Sequence, residues 1–459
     1  MFRTAYNKHD VNDIVEYAKQ LEKHSLREFL DSVGIKYTNN ISERSRGKLG
    51  NEIEKFFFNY KPNSDKNADF NEVGLELKVT PLKRTGSEKL TPKERLVLSV
   101  INYNSIVKET WDNNSLLNKL KLLLLMFYIH EPDKESIDLI FELIDKWSPS
   151  TKDLKIIRSD WENIVNKIKN GKAHELSEGD TFYLGACTKA TNSTKTTTQP
   201  YSNEKAKPRA FALKSSYVKS IWLELLSGKQ TKSVSNETNI HDAVLFKLKS
   251  FYGESIDSIA KTLSIDAKEL RKSKDFLSRF MIQVQKILFG DKLVNLEEFQ
   301  KSGIQVKNIL LQSNDIPKED MSFPYIKYTT IVEQKWDESD IKSLFENEKH
   351  LWLIFKTTKT YSKQKDLDLK DIVFKGAMFW NMPMKDLDSE VKKVWQDTVN
   401  KIKVGDYEHF TKPSENPVVH IRPKAQNAKD LIETPQGTFE KKKCFFLNRK
   451  YVAAQIKPD

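Results

Sequence analysis

The segment 68-ADFNEVGLELKVT-80 carries Asp69, Glu76 and Lys78, charged residues whose types and spacing suit phosphodiester chemistry. Leu75, Leu77 and Val79 alternate with Glu76 and Lys78, which is the period of a half-buried strand. The acid and the lysine therefore share one face. Hydrolysis of a phosphodiester needs an activated water, a Lewis acid on the phosphate and neutralisation of charge on the leaving oxygen. Two carboxylates, with phosphate and water, complete the oxygen shell that Mg2+ prefers, so Asp69 and Glu76 are the candidate metal ligands. Lys78, beside Glu76, is placed to orient or deprotonate the attacking water or to neutralise the phosphorane. Glu54, in a helical pattern just upstream, is the candidate for a second metal or for the water shell. A Glu-x-Lys triplet is also common in a chain with 76 Lys+Arg and 64 Asp+Glu, where it reads equally well as a solvated strand face.

The chain repeats itself. The segment 161-WENIVNKIKNG-171 returns as 395-WQDTVNKIKVG-405. In the same order, 147-WSPSTKDL-154, 189-KATNSTK-195 and 209-RAFALKSSYV-218 are answered by 380-WNMPMKDL-387, 424-KAQNAKD-430 and 443-KCFFLNRKYV-452. Matches in the same order and all about 230 positions apart predict a duplicated domain. The expected limits are residues 1–227 and 240–459, joined by a linker, 228-GKQTKSVSNETN-239, that is poor in large apolar residues. Laid on the second copy, 74-GLELKVT-80 meets 303-GIQVKNI-309, so the lysine persists while Glu76 becomes Gln305. Gln285 falls opposite Glu54, and either Asn295 or Glu298 opposite Asp69. A copy that sheds acids but keeps its apolar frame is expected to bind without metal chemistry.

The elements that must position these residues are also legible. Apolar spacing predicts one amphipathic helix over 10–31 and another around Leu49, Ile53, Phe56 and Phe57. Strands are expected at 73–80, 94–103 and 121–129, which makes each copy mixed α and β. The stretch 254–273 has the pattern of a helix-turn-helix, or of two packing helices. With 459 residues the chain is long enough for two cores, and a net charge of +12 favours nucleic acid or an anionic surface as partner. The longest apolar run, Leu122–Ile129, is too short to span a bilayer, and the opening MFRTAYNKHD has no apolar stretch, so no membrane partner and a cytoplasmic location are expected. Two cysteines and scattered histidines give no zinc spacing.

Gly50 with Glu54, then Asp69, then Gly74-Leu-Glu76-Leu-Lys78 resembles the mismatch-repair nicking endonuclease MutH and the longer type II restriction endonucleases built from two MutH-like copies. The ending 420-HIRPKAQNAKDL-431 with 443-KCFFLNRKYV-452 is similar to the DNA-contacting end of MutH. The resemblance covers most of each copy; Ala68 stands where many members have proline. It implies two tandem PD-(D/E)xK nuclease folds of the α/β (mixed α+β) class, each a mixed central sheet flanked by helices. It further implies Mg2+ dependence, double-strand cleavage of DNA at GATC by the first copy, and an effector role for the second. With one active site per chain, a transient homodimer on DNA is expected, as is a cognate DNA methyltransferase in a bacterial host. A single-strand nickase and a DNA-binding protein without activity are the alternatives.

The segment 187–214 is rich in Lys, Thr, Ser and Asn, a composition that suits a surface loop, yet its counterpart in the second copy keeps the pattern in register. Lys189, Asn192, Arg209 and Lys214 are the expected DNA contacts of the first copy, and Arg422, Lys424, Asn427, Lys443 and Arg449 those of the second. The tyrosine with which MutH senses adenine methylation falls at Ala212, and at Phe446 in the second copy. The resemblance thus implies cleavage that tolerates adenine methylation.

Overall fold

The structure, a computed structural model, describes residues 2–37, 47–60, 67–86, 88–189, 195–228, 240–273, 275–362, 366–425, 427 and 429–456. The chain divides into two units, Met1–Thr238 with Gln300–Ser302, and Asn239–Phe299 with Gly303–Asp459. Both are mixed α/β. Of the linker expected at 228–239, only Gly228 is among the described residues.

In the first unit the strands are β1 (Glu76–Arg84), β2 (Leu90–Pro92), β3 (Leu96–Ile101), β4 (Leu123–Ile129), β5 (Phe141–Trp147), β6 (Leu184–Thr188), β7 (Thr197–Gln199), β8 (Ser202–Ala206) and β9 (Arg209–Leu213). They form one sheet of order β2-β1-β4-β5, a second of order β3-β9-β6, and the hairpin β7–β8. β1 and β4 run parallel, with Glu76 opposite Leu123 and Lys78 opposite Leu125. Alternate residues of β4 feed two cores. Leu124 and Met126 pack with Leu77, Ile14, Phe29 and Phe57, while Leu123, Leu125 and Phe127 pack with Trp161 and Ile164. A strand covered on both faces reads as an unbroken apolar run, and each buried Leu or Phe contributes roughly 1.5–3 kcal/mol.

The repeated segment 161–171 closes the helix Thr151–Lys169. Ser150 caps its start by accepting from the Asp153 amide at 3.1 Å, and Ile157, Trp161, Ile164 and Ile168 form its buried stripe. Gly171 follows at φ 70°, where a Cβ would lie 2.6 Å from the Tyr201 carbonyl oxygen. The site strand starts from a comparable turn: Phe70 and Leu75 exchange backbone hydrogen bonds at 2.9 and 3.2 Å around Gly74, which sits at φ 66°.

The second unit contains β10 (Gln305–Leu311), β11 (Met321–Tyr325), β12 (His350–Lys356), β13 (Val373–Trp380), β14 (Val419–Pro423), β15 (Leu431–Glu433), β16 (Phe439–Lys441) and β17 (Lys443–Leu447). Its sheets have the orders β10-β12-β13 and β11-β17-β14, with the hairpin β15–β16. The parallel pair β10–β12 and antiparallel pair β12–β13 reproduce β1–β4 and β4–β5. Smaller pieces recur as well. Trp111 meets Trp161 at 5.9 Å and Trp336 meets Trp395 at 5.4 Å; the Tyr103 hydroxyl donates to the Lys207 carbonyl and the Tyr328 hydroxyl to the Lys441 carbonyl. All of this fits a duplicated unit.

One expectation is corrected, and one open choice is narrowed. Residues 10–31 form two helices, Val11–Lys19 and Leu26–Ser32, because the chain between them pairs with the edge residues Ile140 and Phe141 and Ser25 starts a new cap. The 254–273 stretch gives helices Ile256–Thr262 and Ala267–Leu270; the first buries Ile256, Ile259 and Ala260, and the second is a single turn. These are packing elements. Substituting Gly74→Ala places a Cβ in the left-handed region and is expected to cost about 1–2 kcal/mol of unfolding free energy. Denaturant melts at unchanged m-value would register the loss.

Candidate active site and nucleic-acid interface

The turn at Gly74 folds Asp69 back onto the start of β1. Asp69 Oδ2 accepts from the Leu77 amide at 2.9 Å, and the Asp69 amide donates to Glu76 Oε2 at 3.3 Å. Each acid is thus oriented by the backbone next to the other. Glu76 is 1% exposed, and its Oε1 accepts from two ammonium groups, Lys78 Nζ at 2.6 Å and Lys119 Nζ at 3.2 Å. Lys119 is a site residue that the sequence did not reveal. It lies in the helix Ser115–Leu120, which runs directly into β4, and reaches Glu76 only because β4 pairs with β1.

Glu54 occupies a π-helical turn, Ile53–Phe57, that continues the helix Lys48–Glu52. Burial, and next the charge of Asp69, push its carboxyl up to about 7. Asp69 is raised by burial and then by Glu76, with Lys78 pulling the other way. Three carboxylates against two ammonium groups leave the corner with surplus negative charge in a poorly solvated place. A hard divalent cation fits that donor set: it is all oxygen, and Asp69 Oδ1 takes no hydrogen bond among the described residues. No group of three His, Cys, Asp or Glu side chains gathers as a metal holder among the described residues, so Asp69 and Glu76 would rely on phosphate and water for the remaining ligands. Glu54 bears on the pair through its charge.

The second unit differs at matched positions. Gln305 lies opposite His350 in β10–β12 as Glu76 lies opposite Leu123 in β1–β4, and Lys307 keeps the place of Lys78. By the same register Glu346, at the end of the helix Asp340–Asn347, stands where Lys119 does. Gln285 is buried and accepts from the Leu293 amide.

The expected DNA contacts divide. Arg209 is 2% exposed and donates to the Ala186 carbonyl, and Lys214 is 4% exposed and donates to the Thr181 carbonyl. Arg209 thus ties β9 to β6, and Lys214, just past β9, ties the chain to the turn ahead of β6; both are buried, and a composition rich in cations does not tell which of them face inward. Lys189 is exposed, and Asn192 lies outside the described residues. In the second unit Arg422, Lys424, Asn427 and Arg449 are exposed, whereas Lys443 is half-buried and donates to the Tyr407 carbonyl. Arg422 lies over the Phe446 ring and Asn427 accepts from the Lys429 amide. Ala212, in β9, is buried.

Comparison with known proteins places these features. Residues 58–160 match the family described as DNA mismatch repair enzyme MutH, a span that includes Asp69, Glu76, Lys78 and Lys119 and stops short of Glu54. The chain is similar to the type II restriction enzyme Sau3AI of Staphylococcus aureus, 32% identical over 416 residues, which is 84% of this chain and 83% of that protein. It is also similar to the mismatch repair protein MutH of Vibrio parahaemolyticus, 27% identical over 221 residues, 46% of this chain and 92% of that protein. MutH of Vibrio campbellii is 26% identical over the same shares.

The raised Glu54 gives a stability prediction for the cation-free protein. Between the ordinary value of 4.5 and about 7, the folded state holds a proton that the unfolded chain has lost. Stability therefore falls as pH rises through that window, and Asp69 adds the same sign. Thermal melts in chelator should show this decline, and Glu54→Gln should flatten it.

Proposed function

Because the chain belongs to the MutH-like type II restriction endonucleases and is thereby a site-specific deoxyribonuclease, we propose that the corner formed by Asp69, Glu76, Lys78 and Lys119 is its catalytic centre, cutting both strands of DNA at GATC with Mg2+. The observation that carries this reading is the mutual closure of Asp69 and Glu76, with two lysines on a single Glu76 oxygen.

Asp69 and Glu76 would hold the cation. When bound, such a cation polarises the scissile phosphate as a Lewis acid. The remaining work belongs to the chain. Lys78 and Lys119 hold their ammonium groups on Glu76 Oε1, beside which they would orient the attacking water and neutralise charge gathering on the phosphorane oxygens. Glu54, with its carboxyl near neutrality, is matched to hold the water shell and take up the proton that the water loses. The leaving 3′ oxygen collects its proton from solvent. Because Glu76 is nearly inaccessible, these groups act in a medium where their charges are weakly screened.

The GATC specificity is supported by the resemblance. The second unit is read as a DNA-binding effector: Gln305 and Glu346 replace the carboxylate and the second ammonium, while Arg422, Lys424 and Arg449 remain on the surface. One acidic corner per chain then requires two chains on the DNA, or two successive nicks, for a double-strand break. No helix among the described residues is long and apolar enough to cross a membrane. A bacterial cytoplasm, with a cognate methyltransferase protecting host sites, is the setting this function needs.

Plasmid digestion tests the proposal. With Mg2+, mapped fragment ends should fall at GATC and be the same on adenine-methylated and unmethylated plasmid, since Ala212 offers no hydroxyl to sense the methyl group. Glu76→Gln should bind the plasmid yet cut it on the order of a hundred- to a thousandfold more slowly, the several kcal/mol that a polarising cation supplies. Ends at other sequences, or an amide variant that cuts at full rate, would contradict it.

A further inference from the structure

The sheet registers of the two units reveal an exchange of charge. In β3-β9-β6, Leu213 lies opposite Leu96 and Leu184; in β11-β17-β14, Leu447 lies opposite Met321 and Val419. Counting from these shared rungs, Arg95 falls where the second unit has Asp320. Gly185 likewise answers His420, Cys187 answers Arg422, and Ala212 answers Phe446. In the second unit Arg422 reaches back from β14, lies 4.4 Å over the Phe446 ring and pairs with Asp320 at 3.2 Å. The first unit has no arginine on β6. Its cation enters from the opposite flank: Arg95 pairs with Glu178, whose Cγ lies 3.2 Å from where a Cβ would project from Gly185, the rung beside Ala212. Any larger residue at 185 would crowd Glu178.

Each unit thus sets a guanidinium on the same stretch of its three-stranded sheet and backs it with an acid more buried than itself. Glu178 is 2% exposed against 31% for Arg95, and Asp320 is 12% exposed against 44% for Arg422. An arginine already neutralised by a buried carboxylate adds little to long-range attraction for phosphates. What it gains is a fixed fork, and a fixed planar fork matches the paired N7 and O6 acceptors of guanine.

We propose that Arg95 reads a base edge in the recognition sequence for the first unit, with Glu178 as the positioning residue that aims its fork. This rests on the endonuclease reading given above. Arg95 would then be the first unit's counterpart of Arg422, delivered from the other side of the sheet.

The test uses the full chain carrying Glu76→Gln, so that binding is measured without cleavage. Affinity is read for a GATC duplex, for duplexes with one altered base pair and for a duplex without the site, across a salt series. Arg95→Lys keeps the charge opposite Glu178 but loses the fork; Arg95→Gln combined with Glu178→Gln removes both charges without leaving a buried acid alone. Both are expected to weaken GATC binding about ten- to a hundredfold while leaving binding to the site-free duplex and its salt slope unchanged. Thermal melts identify whichever of the two keeps the parent's fold, and that variant decides the outcome. Equal weakening on all duplexes with a smaller salt slope would make Arg95 a phosphate contact and overturn the proposal, and unchanged preference would reduce the pair to a structural ion pair. A parent with no preference for GATC over the site-free duplex would overturn the specificity reading along with it, which separates that failure from failure at Arg95 alone.

Discussion

A carboxylate that is 1% exposed cannot stand alone, and the site is built around satisfying Glu76. Desolvating a charge costs several kcal/mol, and removing one partner of a buried pair commonly costs 3–5 kcal/mol. Two lysines and the Asp69 amide meet that demand, and each arrives by a different structural route. Lys78 comes from strand alternation, the Asp69 amide from the left-handed turn at Gly74, and Lys119 from the parallel pairing of β1 with β4. The same corner leaves Glu54 raised by burial and by the charge of Asp69, and Asp69 raised by burial and by the charge of Glu76, which is the condition a divalent cation relieves.

The second unit shows what happens when that demand disappears. Gln305 carries no charge where Glu76 stands, and Glu346, a buried carboxylate paired with Lys342, occupies the position of Lys119. Lys307 persists, but burial now lowers its affinity for a proton, with Glu348 the main acid opposing that effect. The parallel strand pair and the aromatic contact of the long helix are kept. Frame and polar groups are therefore separable: the apolar alternation carries the fold, while at fixed register Gln305 stands for Glu76 and Glu346 for Lys119.

Much of this was legible in the sequence because it is local. Asp69, Glu76 and Lys78 lie within one turn and one strand, and the repeat betrayed itself through Trp161 and Trp395 with their neighbours. Lys119 was not legible, since its meaning depends on a strand pairing between distant segments. Arg95 was hidden for the same reason: its position becomes informative only when two sheets are aligned rung by rung. Arg209 and Lys214 are buried, and a cation-rich stretch does not declare which residues point inward; Arg209 donates to a carbonyl of β6 and Lys214 to the Thr181 carbonyl ahead of it. The break in the first helix came from edge pairing with Ile140 and Phe141, which no helical periodicity anticipates.

The central claim is that Asp69 and Glu76 together hold one divalent cation against the scissile phosphate. Anomalous diffraction from crystals of the full chain with Mn2+ and a non-hydrolysable GATC duplex addresses it most directly. The account predicts an anomalous peak within coordination distance of both carboxylates in the first unit and none beside Gln305. A peak only elsewhere, or no peak at saturating Mn2+ with DNA engaged, would contradict it.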